Sequence, residues 1–191
     1  MRRMIAWALV GGLTLGGAMP AAATDTLPGA KEAWRMLFGT RASVAEASTT
    51  IPLSQSDRDI VQSIGPTQQY YGAIAYSPDE GLLSEATVAA ANHHSVEVAR
   101  ALALADCNGK RRDGTAACAV AADILPKRYR AGRALQLSMG ATAGFDAEYR
   151  KAKGSRSFAI SAQSGLWGWG PNDAAALQAC NAQDCKVVVR D

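Results

Sequence analysis

The stretch Gly72-Ala73-Ile74-Ala75-Tyr76-Ser77, closed by the turn Pro78-Asp79-Glu80-Gly81, decides the reading of this chain. Ala73 and Ala75 alternate with Ile74 and Tyr76, the period of a strand. Small side chains on one face admit a closely packed helix. Residues 82–91, with Thr87 and Val88 as β-formers, read as the return strand. Ser95 is placed to cap a helix, and Glu97 falls in its first turn. Val96, Ala99, Leu102, Ala103 and Asp106 recur at helical spacing on the way to Cys107, giving an apolar stripe that ends at the surface. A polar loop, Asn108 to Thr115, leads to Cys118 and a third strand through Leu125, ended by Pro126. The order is β-β-α-β over residues 70–126.

A shorter run in the same order occupies residues 155–191. Phe158-Ala159-Ile160-Ser161 is its first strand, Gln163-Ser164-Gly165 its turn, and Trp167 to Gly170 its return strand. Asn172 caps an Ala-rich helix ending at Cys180, and Cys185-Lys186-Val187-Val188-Val189 closes the run. The expected fold is therefore α+β: two β-β-α-β half-repeats forming a small, mainly antiparallel sheet with packed helices. The four cysteines allow three pairings. The repeat favours Cys107–Cys118 with Cys180–Cys185, because each half is then stapled alike. Between the halves, Phe145, Glu148 and Tyr149 share a face of an expected helix, with Asp146 near its start and Arg150, Lys151 and Lys153 near its end.

The N-terminus reads as a leader. Arg2 and Arg3 precede an apolar run to about Met19, and Ala21-Ala22-Ala23 is a small-residue cleavage pattern, so residues 1–23 are expected to be removed and no spanning segment to remain. An even cysteine count in an exported chain points to two disulfides and to a periplasmic or secreted location. The 191-residue precursor carries a formal +3, and loss of the two leader arginines leaves +1. Residues 24–69 form an N-terminal extension. Ala30, Ala33, Trp34, Leu37 and Phe38 share one face of a short helix, stopped at Gly39, that docks on the domain, on another chain or, with Lys31 and Arg35, on a membrane surface. Residues 40–56 read as a linker. Residues 57–64 read as two helical turns, with Ser56 as N-cap and Gly65-Pro66 as the stop. No tight fold is expected before residue 68, and 70–191 is the cystine-stapled domain.

The run Tyr71 to Pro78, the Ala/Leu-rich helix ending at Cys107, the Trp-Gly-Trp-Gly at 167–170 and the ending Asp184-Cys185-Lys186-Val187-Val188-Val189 together resemble the exported bacterial domain of unknown function family 4189. The likeness covers roughly residues 70–191. Gly81-Leu82-Leu83-Ser84 stands where that family has an aromatic-glycine return strand, and a long insertion separates the halves. The resemblance implies an exported fold and transfers no catalytic residue.

Chemical signals are sparse. There is no Gly-x-Ser-x-Gly, His-Glu-x-x-His or Ser-x-x-Lys pattern and no phosphate-binding glycine loop. No metal or cofactor is expected. His93 and His94 are the only histidines; either is a general-base candidate for an envelope hydrolase. Trp167 and Trp169 point to one face of a strand, where they form a stacking platform or plug the small-residue face left by Ala73, Ala75 and Ala159. Residues 110–156 hold eleven Lys/Arg against four acids. Within them Lys127, Arg128, Arg130 and Arg133 are the candidate contacts for an anionic envelope component or protein partner; nucleic acid is not expected in that compartment. The favoured reading is a non-catalytic binding module of the cell envelope. The alternatives are the hydrolase and a structural or stress-resistance protein. Oligomeric state is left open.

Overall fold

In the computed structural model, which describes residues 26–191, the chain runs α1 (Ala30–Met36), β1 (Ser43–Ala47), α2 (Gln55–Ile64), β2 (Gly72–Tyr76), β3 (Val88–Ala90), α3 (Val96–Lys110), β4 (Ala119–Pro126), α4 (Met139–Ala147), β5 (Ser157–Ser161), β6 (Trp167–Gly170), α5 (Asp173–Cys180) and β7 (Cys185–Arg190). The leader read at residues 1–23 lies outside the described residues. Mixed helices and antiparallel strands make the protein α+β. The strands do not form one sheet. They divide into a four-stranded sheet of order β1-β4-β2-β3 and a three-stranded sheet of order β6-β5-β7. Every pairing is antiparallel. In each sheet the earlier central strand, β2 or β5, pairs with the strand that follows it and with the strand that follows the next helix.

Alternation along β2 sorts its two faces. Ala73 and Ala75 lie under α3, against Ala99, Ala103 and the Cys107–Cys118 disulfide. Ile74 and Tyr76 face the other way, where Val61 of α2 and Leu53 cover them. Ser95 caps α3 by accepting the Val98 N–H. The buried stripe of α3 is Val96, Ala99, Ala103 and Cys107, and Leu102 turns outward at 37% exposure. A step of four from Ala99 to Ala103 and again to Cys107 keeps these residues over the alanines, whereas position 102 has rotated off that line. The return strand is three residues long, because residues 81–87 are taken up by successive turns.

The second sheet repeats the division with different side chains. Gly168 and Gly170 present bare backbone to α5, where an added Cβ at Gly168 would stand 2.2 Å from the Cys180 nitrogen. The opposite face carries Phe158, Ile160 and Val189 into a core with Phe145 and Tyr149. Full burial of a side chain such as Phe158 contributes about 1.5–3 kcal/mol. Cys180–Cys185 closes the α5–β7 loop. Closing loops of these two lengths is worth roughly 2–3 kcal/mol each in the chain-entropy account.

The N-terminal extension is part of the fold. Residues 40–56, read as a linker, contain β1, which pairs along its whole length with β4. Of its residues Ser-Val-Ala-Glu-Ala only Val44 is a β-former, and the strand exists because β4 offers a long unpaired edge. Helix α2 starts two residues earlier than its pattern indicates, with Ser54 rather than Ser56 as cap and Asp57 completing a capping box. Helix α1 ends at Met36, with Leu37 already extended. Helix α4 begins at Met139 under a Ser138 cap, so Asp146 sits at its end and the charge order inferred from the sequence does not apply. Among the described residues no helix is long and apolar enough to cross a membrane.

Candidate binding surfaces

His94 is 4% exposed and lies on the connection from β3 to α3. Its Nδ1 accepts the backbone N–H of Ser138 at 2.9 Å, and its Nε2 is 2.9 Å from the Leu166 carbonyl oxygen. An N–H can only donate and a carbonyl can only accept, so the ring is neutral with its proton on Nε2. Burial pushes its pKa down, more than the Leu166 bond raises it; His93 adds to the lowering and Asp184 opposes it. Both nitrogens are spent on backbone groups of the α4 cap and the β5–β6 turn. His93 is half-buried, its pKa is also lowered by burial, and its shielded Nδ1 has no partner among the described residues. Neither ring is hydrogen-bonded to a serine hydroxyl or a carboxylate there. The hydrolase reading therefore loses the base–nucleophile contact it requires.

Trp167 and Trp169 share a face of β6, and that face is turned to the interior. Trp167 stacks on Phe158 with ring centroids 5.5 Å apart and planes 8° from parallel. Its outer ring edge presses on Gly144 of α4, where an added Cβ would lie 2.0 Å from Cη2. Trp169 meets Tyr149 edge-on at 6.2 Å, and its Nε1 donates to the Glu148 carboxylate at 2.9 Å. Both indoles are half-buried and already stacked on the protein's own aromatic rings, so they fill space here as core-edge side chains.

The four cations singled out between the halves separate into two kinds. Arg133 is structural: its Nη1 donates to the Met36 and Leu37 carbonyls, each at 2.6 Å, and its guanidinium lies 3.6 Å over the Phe38 ring. Lys127, Arg128 and Arg130 are exposed, and among the described residues none is in an ion pair. They stand on a pinned backbone. The Lys127 N–H donates to Ala42 O at 3.2 Å and the Tyr129 N–H to Pro126 O at 3.0 Å. Tyr129 turns inward between Phe38 and Tyr71, at 5.6 and 6.1 Å. Arg128 occupies the left-handed region at φ 65°. The tight turn after β4 thus holds three cations outward around one half-buried tyrosine.

A second basic locus was not visible in the sequence. Lys31 and Arg35 of α1 meet Arg150 and Arg156, which lie 115 or more positions later, around Trp34. The sequence signal was present in pieces, since Arg150 and Arg156 belong to the basic segment and Lys31 and Arg35 flank an aromatic. Only the docking of α1 joins them. A further cavity of about 580 Å³ lies between α3 and the β1–α2 connection, but its Arg100 is paired with Asp123. Among the described residues no group of three or more His, Cys, Asp or Glu is arranged to hold a metal ion.

Fold and surfaces together define an antiparallel α+β protein with two local disulfides and two basic loci. No family model, no curated protein and no solved structure matches the chain.

Proposed function

We propose that this chain is an exported, non-catalytic binding module of the bacterial cell envelope, periplasmic or secreted, that captures an anionic partner through the Lys127–Arg128–Arg130 turn. The observation that carries the reading is the pairing of three exposed, unpaired cations with a rigid, tyrosine-anchored backbone. The backbone that carries these cations is already held by the Lys127 and Tyr129 N–H bonds and by the Tyr129 ring, so less ordering remains for binding than on a free loop. The two disulfides suit an oxidising compartment. The likeness of residues 70–191 to the family 4189 domain is part of the same proposal and rests on the motifs quoted above.

The test is retention on an immobilised anionic polysaccharide, dextran sulfate, with a salt gradient. The triple variant Lys127→Glu, Arg128→Glu, Arg130→Glu should elute at much lower salt than the parent, with unchanged circular dichroism. Equal retention of parent and variant would remove the turn as the contact surface.

A further inference from the structure

Between α1 and the segment leading into β5 lies a cavity of about 360 Å³ lined by Lys31, Trp34, Arg35, Arg150, Arg156 and Asp191. Its four cations face one carboxylate. That carboxylate is committed: Asp191 accepts the Ala30 N–H at 3.0 Å and pairs with Arg156 at 3.2 Å. Arg150 is tied to Asp146 and held 4.2 Å over the Trp34 ring. Lys31 and Arg35 have no carboxylate partner among the described residues. Arg156 spends Nη1 on the Ala152 and Gly154 carbonyls, at 2.7 and 3.1 Å, yet its Nε–H is shielded from solvent without an acceptor. Positive charge has been concentrated here in a protein whose mature formal charge is about +1.

We propose that this cavity binds a phosphate monoester, on a site separate from the Lys127–Arg130 turn. The size sets the class, since ligand pockets span about 300–1,000 Å³ and this one admits a small head group rather than a polymer. The charge sets the valence: with Arg150 paired to Asp146 and Arg156 to Asp191, Lys31 and Arg35 are left unmatched, a balance that a dianion fits better than a carboxylate or a sulfate ester. The donors set the geometry. Guanidinium groups present paired N–H donors that suit phosphate oxygens, and the exposed Arg35 has such a pair uncommitted to any carboxylate among the described residues. Arg150 and Arg156 are fixed in advance by Trp34, Asp146, Asp191 and the 152–154 carbonyls, so little ordering remains for binding. The same chemistry is carried by soluble phosphate esters and by phosphorylated lipid headgroups.

The test is calorimetric titration of the mature, oxidised protein with glycerol 3-phosphate, with methyl sulfate as the monoanionic comparator. Flotation with phosphatidic acid vesicles against phosphatidylcholine vesicles provides the second arm. Lys31 and Arg35 are exposed helix residues, so Lys31→Gln with Arg35→Gln should fold normally. We expect binding of phosphate over sulfate, and about a tenfold weakening for each charged donor removed. Solution binding with no flotation assigns the site to free esters, and flotation alone assigns it to headgroups. Because this inference does not use the turn, the Lys127→Glu, Arg128→Glu, Arg130→Glu variant should keep the phosphate affinity. Phosphate binding that survives the pocket substitutions, or its absence from both arms, overturns the inference even if dextran sulfate retention persists. Loss of dextran sulfate retention alone would leave this site standing.

Discussion

The imidazole of His94 accepts the backbone N–H of Ser138 across 2.9 Å, joining the helix-bearing connection of the first sheet to the cap of α4. The same ring reaches Leu166 in the β5–β6 turn. Two sheets that share no strand are thereby tied through one buried side chain. Protonation would put a second N–H on Nδ1, facing the Ser138 N–H donor.

A pH dependence follows, and its sign is fixed by burial. The folded-state pKa of His94 is depressed below the ordinary value near 6.5. A depressed histidine binds more protons when unfolded, so its contribution to stability is full above the unfolded pKa and is lost as pH falls through the folded one. His93, also lowered, acts in the same direction, while the nearby Asp184 charge opposes it. Urea midpoints measured from pH 7.5 down to 5 should decline for the parent. In His94→Gln the decline should be shallower, from a starting stability reduced by about 1–3 kcal/mol for each backbone group left without its partner. Parallel profiles would show that His94 does not titrate with unfolding.

Gly144 tests the assignment of Trp167 to the core edge. Alanine favours a helix interior by about 0.8–1.0 kcal/mol over glycine, yet here its Cβ would collide with an indole pinned on Phe158. Gly144→Ala should therefore be net destabilising, by about 1–3 kcal/mol. Adding Trp167→Leu should recover part of that loss, giving a double-mutant cycle with a clear coupling energy. A neutral Gly144→Ala would mean that the ring moves away at little cost, and an open indole platform would return to consideration.

Local features are legible in this sequence and distant ones are not. The Ser95 cap, the alanine face of β2 and the cysteine pairs at separations of 11 and 5 depend on neighbours within a few turns. Strand β1 carries no β-forming run of its own and is made by pairing with β4, 83 positions away at one end and 75 at the other. Arg133 reads as a surface cation because nothing nearby in sequence reveals that Met36 and Leu37 present their carbonyls to it. The basic pocket fails to show for the same reason, since each half of it is an ordinary charged helix face or loop.

Arg128 links the exposed turn to stability. A non-glycine residue in the left-handed region costs roughly 1–2 kcal/mol, and Arg128 sits there at φ 65°. Arg128→Gly relieves that strain but frees the unfolded chain, so the net gain should be about 0.5–1 kcal/mol in urea unfolding. The same substitution removes one of three outward cations and should lower the salt needed for elution from dextran sulfate. Gaining stability while losing capture is the signature of a residue held in place for contact. A variant that is more stable and equally retained would take Arg128 out of the binding surface.

Arg133 should behave in the opposite way. Its two carbonyl bonds and its stacking over Phe38 hold the C-terminal end of α1 onto the body of the protein. Hydrogen bonds to a charged group are worth about 1.5–3 kcal/mol, so Arg133→Ala should release α1 and raise amide exchange over residues 30–38 while β2 and β5 stay protected. Arg133→Lys should restore little, because a single ammonium reproduces neither the planar stacking nor the donor geometry of guanidinium. Since α1 supplies Lys31 and Arg35, Arg133→Ala should also weaken binding of glycerol 3-phosphate without touching the pocket. If exchange over residues 30–38 is unchanged in Arg133→Ala, the helix is held by its Trp34 face and by Asp191 at its start, and Arg133 returns to the exposed cations as a candidate contact.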